Sequence, residues 1–137
     1  MTTHMHNISG KQVAELLLKA LNAGDLEQLK HLGTDEFISR IPPDKMAELI
    51  LRCLELDDHV LLKRLSKEKF WEDIPPRDIP IILTKALNVG RSDFANKFCT
   101  DSCLKKISAD EIDSILEKAV EKNDKGLVRR IHQISDI

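Results

Sequence analysis

With 137 residues, 42% hydrophobic and 32% charged, the chain has the composition of a folded, well-solvated protein able to bury roughly 68% of its unfolded surface. A net charge of −2, 4% aromatic residues and no Tyr argue against general attraction to nucleic acid or anionic lipid, and against base stacking on single strands. No apolar run approaches the roughly 20 residues of a membrane helix, and three Cys at ordinary spacing suit free thiols in a reducing compartment.

The head, "MTTHMHNISG", lacks the basic region and apolar core of a secretory signal. A cytoplasmic protein of one domain, residues 1–137, is therefore expected. With Met1 removed, Thr2-Thr3-His4 would present an amino terminus with His third, an arrangement that holds copper or nickel. A flexible head or a cloning remnant is the plainer reading.

From Ile8 the sequence repeats itself without gaps at an interval of 33 residues, restarting at Ile41, Ile74 and Ile107. The copies span residues 8–40, 41–73, 74–106 and 107–137. Apolar residues recur together at Val13, Met46, Ile79 and Ile112, at Leu16–Leu17, Leu49–Ile50, Ile82–Leu83 and Ile115–Leu116, and at Leu21, Leu54, Leu87 and Val120. Ala20, Cys53, Ala86 and Ala119 keep one position small. This spacing marks one face of an amphipathic helix.

The first copy opens on Ser9 and Gln12, a capping-box pair, and its helix should stop at Gly24. A shorter helix follows, then the link "GTDEFISR", where Thr34 could cap a single turn. The second copy opens on Pro42–Pro43, where a missing amide does no harm, stops at Asp57, and continues into "SKEKFWED" with Ser66 as the equivalent cap. In the third copy Pro80 would damage a helix begun at Pro76, so Asp78 is expected to cap a later start, with Gly90 as the stop. The fourth copy opens on the pair Ser108 and Glu111 and stops at Asn123. Each link carries two apolar residues, Phe37–Ile38, Phe70–Trp71 or Cys103–Leu104, and should be packed. Asp113, Glu117 and Lys122 replace apolar or uncharged residues only in the fourth copy, which marks it as a C-terminal cap. A helix pair of this size cannot bury its apolar face alone, whereas stacked copies can.

"ALNAGDLEQLKHL", Ala20 to Leu32, resembles the ankyrin stretch of a small residue, a Gly four positions on, and a second helix with paired apolar positions; "ALNVG" at Ala86 to Gly90 repeats its first half. The likeness covers about half of each copy and shares the ankyrin period. The Thr-Pro-Leu-His entry and the Gly-Ala-Asp turn are absent, so β-hairpin fingers are not expected. The resemblance implies an all-α, right-handed α-solenoid of four helix-turn-helix repeats with a protein-binding role. Divergent ankyrin-like proteins are common among secreted bacterial effectors, which makes an effector translocated into a host cell one expectation. Transcription-activator-like DNA-binding repeats have a similar period, but their Gly-rich base-reading loop is missing.

No HExxH, CxxC, GxGxxG, GxxxxGK[ST] or GxSxG motif is present among the five His, three Cys and five Gly. No enzyme, cofactor or metal role is expected. Cys99 and Cys103, four residues apart, could share a face as a thiol or metal site, although small packing residues are the plainer reading, as for Cys53. Lys19, Arg52, Lys85 and Lys118 form a basic stripe on the first helices, self-paired where Glu15 and Glu48 precede by four residues. A second basic group, Lys30, Lys63, Arg64, Lys97, Arg129 and Arg130, ends the second helices, where cations complement the helix dipole. Stacking would align it into a ridge for an acidic protein partner. Nucleic acid or a phosphate ligand on the same ridge is the alternative. Trp71 is either core or an exposed anchor of the interface. A monomer, or a weak homodimer through the first copy, is expected.

Overall fold

The computed structural model describes residues 8–135, and every regular element among them is helical. Ten α-helices and one 3-10 turn appear in chain order. The first copy holds α1 (Gly10–Ala23), α2 (Leu26–Leu32) and α3 (Asp35–Ile38). The second holds α4 (Pro43–Leu56), α5 (His59–Leu65) and a 3-10 turn (Glu68–Phe70). The third holds α6 (Asp78–Asn88), α7 (Ser92–Phe98) and α8 (Asp101–Lys105), and the fourth α9 (Ala109–Glu121) and α10 (Lys125–Ser135). No helix among the described residues is long and apolar enough to cross a membrane.

The helix ends follow from side-chain chemistry at fixed positions. Ser9 accepts the Gln12 amide at 3.2 Å while Gln12 Oε1 accepts that of Ser9 at 3.0 Å, a complete capping box, and Ser108 with Glu111 forms another. Pro43 stands first in α4. The stops are uniform. Gly24, Asp57, Gly90 and Asn123 have φ of 68°, 55°, 77° and 58°. The next residue's amide reaches back to the small residue of the helix: Asp25 to Ala20 O and Asp58 to Cys53 O at 2.9 Å, Arg91 to Ala86 O and Asp124 to Ala119 O at 2.8 Å. Four helices thus end in one and the same Schellman turn.

Those turns give a clean expectation. A Cβ at Gly24 or Gly90 meets nothing within 4 Å, so only the left-handed backbone penalises a side chain there. Gly24→Ala and Gly90→Ala should each lower unfolding free energy by about 1 kcal/mol, and Asn at either site by less than half of that, read as urea midpoints at constant slope.

Two expected caps are placed differently. Asp78 is the first residue of α6, not its cap; Arg77 precedes it without a side-chain bond. The helix does start late, with 11 residues against 14 in α1 and α4, and Pro80 falls in its first turn, where amides lack partners anyway. Ser66 caps no third turn: it closes α5, and its hydroxyl donates to Leu62 O. Thr34 does cap α3, accepting the Phe37 amide at 3.3 Å, and Thr100 does the same for α8. The second helices carry caps that sequence reading missed, Asp25, Asp58 and Asp124, each accepting an amide three residues on at 3.1–3.2 Å.

The chain divides into two compact units, Met1–Asp73 and Ile74–Ile137, parted at the junction of the second and third copies. In the first unit α1 packs on α4 and α2 on α5, while α1 also meets α2 and α4 meets α5. First helix lies on first and second on second. The core here includes Val13, Leu17, Leu49, Ile50 and Leu61, all 0% exposed. The second unit repeats the scheme with α6 on α9 and α7 on α10. Ile79, Ile82, Leu83, Phe98, Leu127 and Ile131 are buried there. Each such side chain contributes about 1.5–3 kcal/mol relative to exposure, so burial outweighs the few tenths per residue of helix propensity. The link residues Phe37, Ile38, Phe70, Trp71, Cys103 and Leu104 are likewise buried, as their apolar pairing foretold.

Candidate functional site

The second basic group separates into two kinds of residue. Lys30, Lys63 and Lys97 lie exposed in the last turns of α2, α5 and α7, as expected, whereas α10 runs on to Ser135, so Arg129, also exposed, and Arg130 stand in mid-helix and not at its end. Within the first unit Lys30 and Lys63 stand on adjacent packed helices, and within the second unit Lys97 and Arg129 do. Arg64 and Arg130, in contrast, are ties between copies. Arg64 Nη1 donates to Gly33 O at 3.0 Å, and Arg130 Nε donates to Cys99 O at 2.6 Å, each reaching 31 residues back. Gly33 and Cys99 close α2 and α7, so both guanidinium groups satisfy carbonyls that the helix leaves without partners. A Cβ at Gly33 would lie 2.9 Å from Arg64 Cδ, which explains the close approach.

Trp71 is not an exposed anchor. It is 2% accessible and its Nε1 donates to Leu65 O at 3.0 Å. The indole fills the link beside the end of α5, and its one polar atom is satisfied there. No partner can reach the ring without unfolding that link.

Two members of the stripe on the first helices, Arg52 and Lys118, are paired with neighbours. Arg52 Nε donates to Asn22 Oδ1 at 2.8 Å, and its Nη1 lies 3.9 Å from Glu55. Lys118 lies 3.7 Å from Glu121. Glu48 pairs with Lys45 at 3.4 Å instead of meeting Arg52. A further tie joins the links: Lys67 Nζ donates to both Asp35 oxygens at 2.6 and 2.7 Å, and Lys69 Nζ at 3.2 Å. These bonds hold the Asp35 carboxyl below the usual carboxylate range.

The thiols lack the environment of reactive cysteines. Cys53, Cys99 and Cys103 are free and buried. Burial pushes the Cys99 thiol up to about 12 and Cys53 higher still, whereas nucleophilic and metal-binding cysteines need a lowered pKa. His31, His59 and His132 are exposed. No group of three metal-ligating side chains occurs among the described residues. His4, His6 and the Thr2-Thr3-His4 terminus lie outside them. A thiol raised in the fold is neutral there, so its contribution is complete below the ordinary value of 9.0 and is lost as pH climbs above it. Unfolding free energy should therefore fall above pH 9 by up to about 1.4 kcal/mol per unit for each such thiol, and Cys99→Ala should flatten the decline.

One surface was missed in the sequence. Val120, Val128, Asn123, Asp124, Lys125 and Arg129 line an open groove of about 340 Å³ between α9 and α10. Leu21, Leu54 and Leu87 are 5%, 1% and 3% exposed, whereas Val120, at the same place in the fourth copy, is 62% exposed. Asp113, Glu117 and Lys122 do face solvent. Lys122 is no adaptation to an end, however, because Leu56 and Val89 at its position are themselves 42% and 40% exposed. Comparison with protein-family models, with curated proteins and with solved structures yields no match.

Proposed function

We propose that the chain is a protein-interaction module built as an ankyrin-like, right-handed α-solenoid of four 33-residue repeats. The observation that carries this reading is the shared stacking scheme: in each unit first helices pack on first and second on second, with equal Schellman stops and equal arginine ties. Such stacking buries apolar faces between neighbouring copies and leaves one cation of each second helix in water. Lys30 and Lys63 in one unit, and Lys97 and Arg129 in the other, are cations that the scaffold does not consume on its own core. Their partner is a protein with an acidic surface. Charge complementarity of this kind speeds and orients encounter more than it deepens affinity.

Nucleic acid or a phosphate ligand on the same cations is the competing reading, which the net charge of −2 disfavours. Capture by the full chain, with and without nuclease, separates the two. A stoichiometric protein should survive nuclease treatment and be lost with Lys30→Glu/Lys63→Glu while helical circular dichroism is unchanged. Retention of nucleic acid, with affinity collapsing between low and moderate salt, would transfer the site to the alternative; unchanged capture by the double variant would remove these lysines from it.

A further inference from the structure

The stacking scheme leaves two unlike faces open, one at each terminal copy. Where a copy follows within the same unit, Val13, Leu17, Leu21 and Leu29 are 0%, 0%, 5% and 3% exposed, and Ile79, Leu83, Leu87 and Ala95 are 0%, 0%, 3% and 0%. The same places in the fourth copy are Ile112, Leu116 and Val128, all half-buried, and Val120 at 62%. Where a copy precedes, Leu49 and Leu61, or Ile115 and Leu127, are at most 1% exposed. The same places in the first copy are Leu16 at 38% and an exposed Gln28. The α9/α10 groove is thus a socket of the kind that α1 and α2 offer to α4 and α5. The outer face of α1 and α2 is a plug of the kind that α4 and α5 insert.

The geometry points to a second molecule of this chain as the occupant, docked head to tail: the α1/α2 face of one molecule seats on the α9/α10 groove of the next. The polar ties within the units supply the register. In the first unit Arg52 donates to Asn22 of the preceding copy; carried across the junction, that pair becomes Lys19 of one molecule and Glu121 of the other. In the second unit Asp124 accepts Ser92 Oγ at 2.6 Å and Asn96 Nδ2 at 3.4 Å from the preceding copy. The same places across the junction are Asp25, facing Lys125 and Arg129. Both ties thereby become pairs of opposite charge, and the groove's two cations meet a carboxylate on the incoming face. Gln28, where Leu61, Phe94 and Leu127 stand in the other copies, keeps the contact weak. Because the two faces differ, the contact is heterologous, of the kind that builds rings or open filaments. This rests on the stacking read above but uses neither Lys30 nor Lys63, so it can fail while capture of an acidic partner persists.

The test is analytical ultracentrifugation of the full chain over a wide concentration range. Wild type should gain mass beyond a dimer as concentration rises, and Gln28→Leu should tighten association about tenfold. Val120→Glu and Leu16→Glu alter exposed residues and should each stay folded and monomeric alone. Mixed, they should form a 1:1 dimer and nothing larger, since one keeps the plug and the other the socket. A wild type monomeric throughout overturns the proposal. So does self-association retained by Leu16→Glu, which would signify a groove-to-groove dimer, or by Val120→Glu, which would signify a dimer through the first copy.

Discussion

Trp71→Ala should cost about 3–5 kcal/mol of unfolding free energy, the largest effect of any single substitution considered. The indole is 2% exposed, so truncation leaves a cavity in a packed link that relaxes only in part. It also leaves Leu65 O without its donor at the end of α5. Trp71→Phe separates these contributions: it keeps most of the ring and should cost about 1–3 kcal/mol through the unsatisfied carbonyl. Trp71 is the one Trp of the chain, so native fluorescence should be blue-shifted and should move red on unfolding. Midpoints for the variants come from urea titration followed by circular dichroism. A loss under 1 kcal/mol for Trp71→Ala would show that the ring is not part of the core, and would restore it as a candidate anchor.

Arg64→Ala and Arg130→Ala should each cost about 1.5–3 kcal/mol, with Arg130, the more exposed, at the lower end. Both donate to a carbonyl that closes the second helix of the preceding copy, in separate units, so their effects should be alike. Lysine at either site should recover less than half of the loss, because each guanidinium presents one N–H from a planar, pre-organised group, whereas an ammonium is a strongly hydrated point charge on a flexible stem. Lys63→Ala and Arg129→Ala, on neighbouring exposed positions, should stay within about 0.5 kcal/mol of wild type. This contrast sorts the basic group into scaffold and surface. If all four substitutions behaved alike, the arginines would rejoin the surface cations.

What the sequence disclosed was whatever a local rule writes into residue type. A left-handed stop admits Gly, Asn or Asp and little else, so Gly24, Asp57, Gly90 and Asn123 were legible, and the observed φ values agree. Ser9 with Gln12 and Ser108 with Glu111 were legible because a capping box has fixed spacing. The caps Asp25, Asp58 and Asp124 were not, because Asp is common on any solvated helix and Arg91 breaks the series in the third copy. Arg91 instead pairs with Asp93 at 3.1 Å, which holds that carboxyl below its usual range. The arginine ties were hidden for a different reason. Their acceptors are backbone carbonyls 31 residues away, and no side-chain pattern announces a carbonyl. Trp71 was ambiguous because a large aromatic suits a core and an interface equally well. The open groove at Val120 was concealed by its own regularity, since an apolar residue at that place looks the same whether or not a neighbour covers it.

The central claim is that one 33-residue unit recurs and stacks on itself. Excision of residues 74–106 tests it most directly, beside a control lacking 74–99, which breaks the register. The in-register deletion should keep the helical circular dichroism per residue of the full chain and unfold in one cooperative transition, whereas the control should lose both. Equal behaviour of the two proteins, folded or unfolded, would contradict it.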